Sequence, residues 1–474
     1  MRVVEPMSPE YVAPGWGESV RGSIPGVDWP AFQEGTGAMT LAIQYELEAS
    51  QWWPPAVIAQ KQLGQIGALL QHAAARSPFW RERLRDAGVD PHEPLTEDAF
   101  ARIPVLTRSQ VQAQGLALRT DPPEPRHGST FEARTSGSTA MPIAVTRTSV
   151  SALVWHALTA RDHLWHRRDF GATLAVIRSG VKEHIAPGWG PSWHTASASG
   201  RAVIQDIAID TDRQLDWLCG HAPAYLLTYG SALRALATRS LERGIRLPGL
   251  REVRSFGESV DDDLRERCRA AWGVPLTDLY SAEEVGNIAL QCPDHPHYHV
   301  QSEAVRVEVL DTAGQPCPPG TIGQVVVTAL HSHAMPLVRY ALGDYAETGD
   351  VCPCGRGLPV LRRILGRQRN MLRLPDGRWI WPMIKNVALA WEAIADVRQM
   401  QLVQVAATRL EARFVAPADP SPAAAARMVD ALNASLGYAF DVALQRVAAL
   451  ERSRNHKFED FQCRIDDAAP PVVA

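Results

Sequence analysis

The chain contains no apolar run that approaches the length of a membrane-spanning helix. Its start, MRVVEPMSPEYVAPG, lacks the basic and then apolar order of a secretory signal peptide. Cysteine is scarce, with 7 residues in 474, an odd number that is unevenly spread. A disulfide framework is therefore not indicated, and the sequence predicts a protein of the reducing cytoplasm that does not associate with membranes.

An excess of charge of one sign is absent too. Lys and Arg number 48 and Asp and Glu number 52, so the formal net charge of −4 argues against nucleic acid as the main partner. Hydrophobic residues make up 46% of the chain and charged residues 21%, which is usual for a globular protein. The length predicts two or three domains with a sizeable core, and no internal repeat is present.

The order of the sequence patterns predicts an α/β protein in three parts. Residues 1–40 are rich in proline and glycine and are interpreted as an N-terminal arm. Residues 41–366 begin with helical periodicity, continue with alternating strands and helices typical of a parallel sheet, and change to antiparallel strands from Val305. Residues 367–474 combine strands with one Ala-rich helix near 422–436 and are expected to form a small α+β domain.

The loop RTSGSTAMPIAV at 134–145 is the segment on which the functional interpretation depends. Its hydroxyl and glycine residues follow one another without interruption: Thr135, Ser136, Gly137, Ser138 and Thr139. Glycine lets the backbone approach a ligand, and amides and hydroxyls donate hydrogen bonds to anionic oxygens, so such a loop can wrap phosphate. It lacks the G-x-x-x-x-G-K-[ST] spacing of a Walker loop, and an ordinary turn is the alternative.

Further motifs follow the loop in a fixed order: FGES (256–259), YSAEE (280–284), RYALGD (339–344), GR (366–367) and RSRNHKFEDF (452–461). With these motifs the chain resembles the adenylate-forming superfamily of acyl-CoA synthetases, luciferases and peptide-synthetase adenylation domains. It is most similar to the phenylacetate–CoA ligase-like branch, from about residue 60 to 465. It departs from the family pattern at Ala140-Met141, where relatives carry Gly-Lys before the proline.

The resemblance implies that these motifs form an ATP site. The hydroxyl loop would hold the phosphates, Gly257, Glu258 and Ser259 would border the adenine, and Tyr280 would stack on it. Gly and Ser/Thr of the family's Tyr-Gly-x-Ser/Thr-Glu motif are replaced here. On local sequence alone, FGES is equally well explained as a strand-to-helix turn with an acidic cap.

Four charged residues complete the implied site. Glu284 would hold Mg²⁺ against the phosphates, and Asp344 would accept hydrogen bonds from the ribose hydroxyls. Arg367 would reach the ribose-phosphate region, and Lys457 would stabilise charge on the carboxylate–phosphate transition state. The alternatives are a turn residue at Asp344 and a solvated surface lysine. The resemblance also implies a hinge at 368–371 on which a mobile C-terminal domain swings.

A separate group of cysteines and a histidine has the composition of a structural Zn²⁺ site: Cys292, His299, Cys352 and Cys354. Three thiolates and one imidazole suit a closed tetrahedral site, but C-x-C is less diagnostic than C-x-x-C. His295 and His297 are alternatives to His299 as the fourth ligand. Members of the resembled branch with the Cys-Pro-Cys-Gly phrase look metal-binding, which favours zinc over reduced, partly buried thiols.

The resemblance implies ATP-dependent adenylation of a carboxylic acid and transfer of the acyl group to a thiol, for which coenzyme A is the expected acceptor. One alternative is transfer to an amine, a hydroxyl or a carrier protein. Another is a degenerate nucleotide-binding protein that is not an enzyme. The sequence does not name the acid, and the oligomeric state stays open, with a homodimer among the options.

Overall fold

The computed structural model describes residues 24–27, 29–30, 32–33, 35–134, 143–190, 199–367, 370–382, 384–450 and 460–465, with the backbone alone at 385–386. The predicted phosphate-binding residues 135–139 therefore lie outside the described residues. So do Lys457 and residues 368–369 of the predicted hinge. Their assignments stay predictions.

The described chain forms α-helices numbered here in chain order: α1 Gly35–Ser50, α2 Pro55–Arg76, α3 Pro78–Asp86, α4 Glu97–Arg102, α5 Arg108–Gln114, α6 Ser149–Trp165, α7 Thr211–His221, α8 Gly230–Arg243, α9 Asp262–Trp272, α10 Ile384–Ala395 and α11 Pro422–Leu436. The first of these begins inside the region interpreted as an arm. No helix of the described segments is long and apolar enough to cross a membrane.

The strands are also numbered in chain order: β1 Thr130–Arg134, β2 Ala144–Thr148, β3 Leu174–Arg178, β4 His184–Ala186, β5 Ala202–Asp206, β6 Tyr225–Thr228, β7 Glu252–Phe256, β8 Leu276–Ala282, β9 Gly286–Gln291, β10 Tyr298–Val300, β11 Val305–Leu310, β12 Ile322–Ala329, β13 Tyr340–Thr348, β14 Val360–Arg367, β15 Leu372–Arg373, β16 Trp379–Ile380, β17 Gln399–Ala406, β18 Arg409–Val415, β19 Asp441–Arg446 and β20 Phe461–Cys463.

Twelve of these strands form one mixed sheet in the order β11-β12-β13-β14-β10-β9-β8-β7-β6-β3-β5-β4. Strands β8, β7, β6, β3 and β5 run parallel to one another. The edge strand β4 is antiparallel to β5, and the sheet changes from parallel to antiparallel pairing at β8–β9, earlier in the chain than the change at Val305 that the sequence suggested. The short turn at 283–285 cannot accommodate the crossover that a parallel pair needs, so β9 must run antiparallel to β8. The predicted α/β class, with a large mixed sheet and flanking helices, is confirmed.

The parallel half owes its helices to local sequence signals. Helix α8 spans the residues that the periodicity predicts, and it ends at Gly244, whose φ of +64° suits glycine. The Asp261 side chain accepts a hydrogen bond from the Leu264 amide at 2.7 Å and so caps α9. Helices α7, α8 and α9 bury their apolar faces in one core cluster with strands β3, β6 and β7.

A buried ion network fixes α6 to the parallel strands. The Arg168 guanidinium donates to the Asp162 carboxylate at 2.7 Å and, through two nitrogens, to the Glu252 carboxylate at 2.8 and 2.7 Å. Burial opposes the charge of Asp162, but the guanidiniums of Arg168 and Arg254 hold its pKa well below the usual range. Removing one partner of such a buried pair costs roughly 3–5 kcal/mol, so these residues position β7 rigidly.

The C-terminal part has its own sheet and core. Strands β19-β18-β17-β20 form a four-stranded sheet, and Trp391 of α10 is fully buried against it. The Trp391 indole donates to the Met428 carbonyl of α11 at 2.8 Å, which locks the two helices together. The sequence indicated only one helix in this part and missed α10. A boundary near residue 366 and mobility of this part stay predictions.

Candidate nucleotide and metal sites

Three residues of the predicted nucleotide site are in direct contact. The Tyr280 hydroxyl of β8 donates a hydrogen bond to Asp344 Oδ2 of β13 at 2.8 Å. Arg367 Nε lies 3.4 Å from Asp344 Oδ1 because the two residues are paired across β13 and β14. Burial, and then the Asp344 charge, raise the Tyr280 pKa well above its usual value, so this phenol stays protonated as a donor.

This contact requires a strongly curled sheet. Strands β8 and β13 are separated by β9, β10 and β14. At a spacing of about 4.8 Å between strands, a flat sheet would hold them roughly 19 Å apart. The connecting strand β10 has only three residues and pairs with β14 at only two positions. The sheet can therefore fold over on itself there, which brings Tyr280 of β8 to Asp344 in the middle of β13.

Glu284 lies in the turn between β8 and β9 and is 6% exposed. Its carboxylate is 3.3 Å from the guanidinium of Arg108, the first residue of α5. Burial raises the pKa of Glu284, and the nearby cations Arg108 and Arg367 oppose that shift. A buried carboxylate that is only partly neutralised can hold a divalent cation through oxygen.

The FGES motif forms a turn at the end of β7, and its place beside adenine stays a prediction. Gly257 has a φ of +72°, so the chain turns sharply at the carboxyl end of β7. The Glu258 carboxylate accepts a hydrogen bond from the Ser231 amide at 2.7 Å and so caps α8, the helix before the motif, instead of the one after it. A Cβ added at Gly366 would lie 3.2 Å from Ser259 Oγ, so Ser259 borders β14 next to Arg367.

The described residues of the predicted nucleotide site therefore lie at one edge of the large sheet: Gly257, Glu258, Ser259, Tyr280, Glu284, Asp344 and Arg367. Their roles toward a nucleotide stay predictions.

Sequence analysis missed two neighbours of this group, Arg108 and Tyr340. Leu106 pairs with Tyr340 of β13, and this backbone contact brings the start of α5 to Glu284. Thr107 and Gln110 form a capping box that fixes where α5 begins. That signal was visible in the sequence. The contact between Arg108 and Glu284 was not predicted because the two residues are 176 positions apart in the sequence.

The candidate zinc ligands lie close together as well. Cys292 and Cys352 Sγ atoms are 3.9 Å apart, and Cys354 Sγ is 3.4 Å from His299 Nε2. Such separations are close to those of two ligands on one tetrahedral Zn²⁺ ion. His297 Nε2 is 3.0 Å from Cys352 Sγ. The four candidate ligand atoms that all lie within 4.8 Å of one another belong to Cys292, His297, His299 and Cys352, so His297 stands in this group where Cys354 was predicted. The donor set of soft thiols and imidazoles fits zinc.

A solved structure has the same fold as this chain. A 2-hydroxyisobutyryl-CoA ligase, crystallised in the postadenylation state with 2-HIB-AMP, superimposes with a TM-score of 0.68 over 88% of this chain and 91% of that chain. The two chains are 21% identical, so this likeness shows the fold.

The profile of the AMP-binding enzyme family matches residues 71–331, more than half of the chain, and the chain belongs to this family. Among its relatives, phenylacetate–coenzyme A ligase of Thermus thermophilus is 28% identical over 324 residues, which are 65% of this chain and 70% of that protein. The enzyme of the same name from Pseudomonas putida is 25% identical over 365 residues, 73% of this chain and 78% of that protein. The resemblance to the phenylacetate–CoA ligase-like branch of the adenylate-forming superfamily is confirmed.

We expect Glu284→Gln to raise the free energy of unfolding at pH 8 relative to the wild type. The folded-state pKa of Glu284 is above its usual value of 4.5, so its stabilising contribution is present at low pH and is lost as pH rises through the folded pKa. Glutamine does not titrate, so the variant keeps the same contribution to stability at both pH values. Urea unfolding at pH 5 and pH 8 measures the difference, which should be larger at pH 8.

Arg108→Gln is the matched opposite change, because it removes the cation that is paired with the buried Glu284 carboxylate. It should destabilise the fold at pH 8 by about 1–3 kcal/mol and less at pH 5. Equal destabilisation by both variants at both pH values would contradict the assigned electrostatics.

Proposed function

We propose that the chain is an ATP-dependent acid–thiol ligase that forms AMP. A carboxylate oxygen of the substrate attacks the α-phosphorus of ATP, which releases pyrophosphate and leaves an acyl-adenylate. The thiol sulfur of coenzyme A then attacks the acyl carbon, AMP departs, and the thiol proton passes to solvent. Family membership supports an enzyme over the non-enzyme alternative. The relatives named as phenylacetate–coenzyme A ligases support coenzyme A as the acceptor.

The observation that carries the proposal is the Tyr280–Asp344–Arg367 contact. Tyr280 occupies one acceptor position on Oδ2, and Arg367 approaches Oδ1. A carboxylate has about four acceptor positions, so Asp344 keeps capacity for the two hydroxyls of a ribose. Because Tyr280 and Arg367 orient the group before ligand binding, little ordering entropy is lost when the nucleotide binds.

The other residues of the group have complementary roles. Glu284 would hold Mg²⁺, which when bound neutralises phosphate charge. The residues predicted to cradle the phosphates are Thr135, Ser136, Gly137, Ser138 and Thr139. Lys457 would bring an ammonium to the reacting carboxylate and phosphate. Gly257 and Ser259 would border the adenine, with Tyr280 against its face.

The experiment that tests this function is ATP–pyrophosphate exchange over a panel of carboxylic acids, followed by AMP release with coenzyme A, amines or a carrier protein as acceptor. We expect one class of acid to support exchange and coenzyme A to accelerate AMP release. Lys457→Ala should reduce exchange about a hundredfold or more while ATP binding is kept. Lys61→Ala, an exposed lysine of α2, is the control.

Exchange that is unchanged in Lys457→Ala would contradict the role of that lysine. Faster AMP release with an amine than with coenzyme A would show that the acceptor is an amine and not the thiol of coenzyme A. The absence of exchange with every acid in the panel would contradict adenylation.

We also propose a structural Zn²⁺ held by Cys292, Cys352 and Cys354 with one histidine, His299 or its rival His297. Cys292 and His297 lie in the β9–β10 turn, His299 lies on β10, and Cys352 and Cys354 lie in the loop between β13 and β14. When bound, the ion would cross-link these two segments and restrain the strands that carry Asp344 and Arg367. This is the part of the sheet where strand pairing is shortest.

Cys352→Ser should remove about one Zn²⁺ per chain, because zinc needs a closed set of four ligands at a structural site. An organomercurial reagent, which displaces zinc from thiolates, should release this ion from the wild type and not from the variant. Cys219→Ser, in an exposed cysteine of α7, should leave the zinc content unchanged. Equal release from all three proteins would contradict the site.

A further inference from the structure

Three histidines from separate parts of the chain form a cluster away from the sites described above. His72 lies in α2, His127 in the 3₁₀ turn Pro125–His127 before β1, and His333 in the turn after β12. Their candidate ligand nitrogens all lie within 4.8 Å of one another, and each residue is half-buried. We refer to His72, His127 and His333 as the three-histidine cluster.

The rings face one another closely. The His127 and His333 centroids are 4.2 Å apart, and the His72 centroid lies 5.3 Å from that of His333 and 5.4 Å from that of His127. On a tetrahedral ion with bonds of 2.0–2.1 Å, two ligand nitrogens are about 3.3 Å apart. Small side-chain rotations are therefore enough to bring the three nitrogens onto one ion.

Two hydrogen-bond observations point to a ligand. His72 Nε2 is 3.1 Å from the His333 carbonyl oxygen, and a neutral ring that donates from Nε2 carries its lone pair on Nδ1. Metal-binding histidines usually donate their other ring N–H to a carbonyl or carboxylate in this way. His333 Nδ1 is buried and has no hydrogen-bond partner in the described part of the chain. A buried nitrogen of this kind is normally satisfied, and a metal ion would satisfy it.

The charges around the cluster do not forbid a cation. Arg76, one turn after His72 on α2, is paired with Glu124 at 2.8 Å. The Arg76 guanidinium also donates to the Pro122 carbonyl, so it is held by acceptors on both sides. The positive charge of Arg76 is thus largely neutralised by its own partner.

We propose that the three-histidine cluster binds a divalent transition-metal ion of the Zn²⁺ type, with water in the fourth position. Imidazole nitrogens suit Zn²⁺, Co²⁺, Ni²⁺ and Cu²⁺, and three protein ligands with an open fourth position are a common zinc arrangement. The cluster contains no thiol, which separates it chemically from the cysteine site.

An ion bound at the three-histidine cluster would connect separate segments of the chain. His127 precedes β1, the strand that leads into the predicted phosphate loop at 135–139. The Thr120 hydroxyl donates to the His333 carbonyl at 2.8 Å. The turn after β12 is therefore already bonded to the segment that leads to β1. A bound ion would join α2 and the end of β12 to the entrance of that hairpin and restrain it.

The test is titration of the full-length chain with Co²⁺, which replaces Zn²⁺ and absorbs in the visible range. The wild type should show d–d absorption without sulfur-to-metal charge transfer from this site, and Cys352→Ser should retain it. His127→Ala and His333→Ala should weaken this binding about tenfold or more, as expected when a ligand is lost. His92→Ala, in an exposed histidine next to Gln71, should bind as the wild type does.

A second readout keeps the outcome clear if a variant folds poorly. An ion that binds only the native state raises Tm, so in a Cys352→Ser background, which lacks the cysteine zinc site, Zn²⁺ should raise the Tm of the parent and of His92→Ala but not of His127→Ala. His127 lies in a surface turn, so its replacement disturbs little packing. Unchanged Co²⁺ affinity in His127→Ala, or loss of all Co²⁺ absorption in Cys352→Ser, would overturn the proposal.

Discussion

The hydrogen bond from the Tyr280 hydroxyl to the Asp344 carboxylate is the contact on which the candidate site depends. It joins the last parallel strand to a strand four positions away in the same sheet, so it exists only because the sheet curls at the short strand β10. Hydrogen bonds to charged groups contribute about 1.5–3 kcal/mol each, and here the bond also fixes the orientation of the Asp344 carboxylate. Glu284 and Arg367 lie in reach of the same point because they flank the two strands that the contact joins.

Rigidity on both sides of this contact comes from buried polar groups and not from apolar packing alone. Arg168 ties α6 to β7 through Asp162 and Glu252, which sets where the carboxyl ends of the parallel strands lie. On the other side, Arg339 pairs with Glu308 at 2.9 Å and donates to the Ile103 carbonyl at 2.7 Å. It thereby holds the segment that delivers Arg108 to Glu284. The arginine that opens the RYALGD motif is thus a structural residue, and the aspartate that closes it faces the site.

Local signals allowed much of the fold to be predicted. Helix α8 and helix α11 have the predicted limits, because periodicity and a following glycine agree in both and Ser421 caps the start of α11. Helix α10 was missed because it lacks a clear capping signal and follows a Pro- and Trp-rich hairpin. The pairing of Arg108 with Glu284, and the cap that Glu258 provides to α8, depend on tertiary approach and leave no trace in local sequence. The order of the motifs, by contrast, was enough to indicate which side chains gather at one edge of the sheet.

The most direct test of this arrangement is a crystal structure of the full-length chain with Mg²⁺ and a non-hydrolysable ATP analogue. The ribose hydroxyls should lie within hydrogen-bond distance of the Asp344 carboxylate while Tyr280 keeps its hydrogen bond to Oδ2, and the metal should contact Glu284. A nucleotide bound elsewhere, with Asp344 in contact only with Tyr280 and Arg367, would contradict the assignment of this edge of the sheet as the nucleotide site.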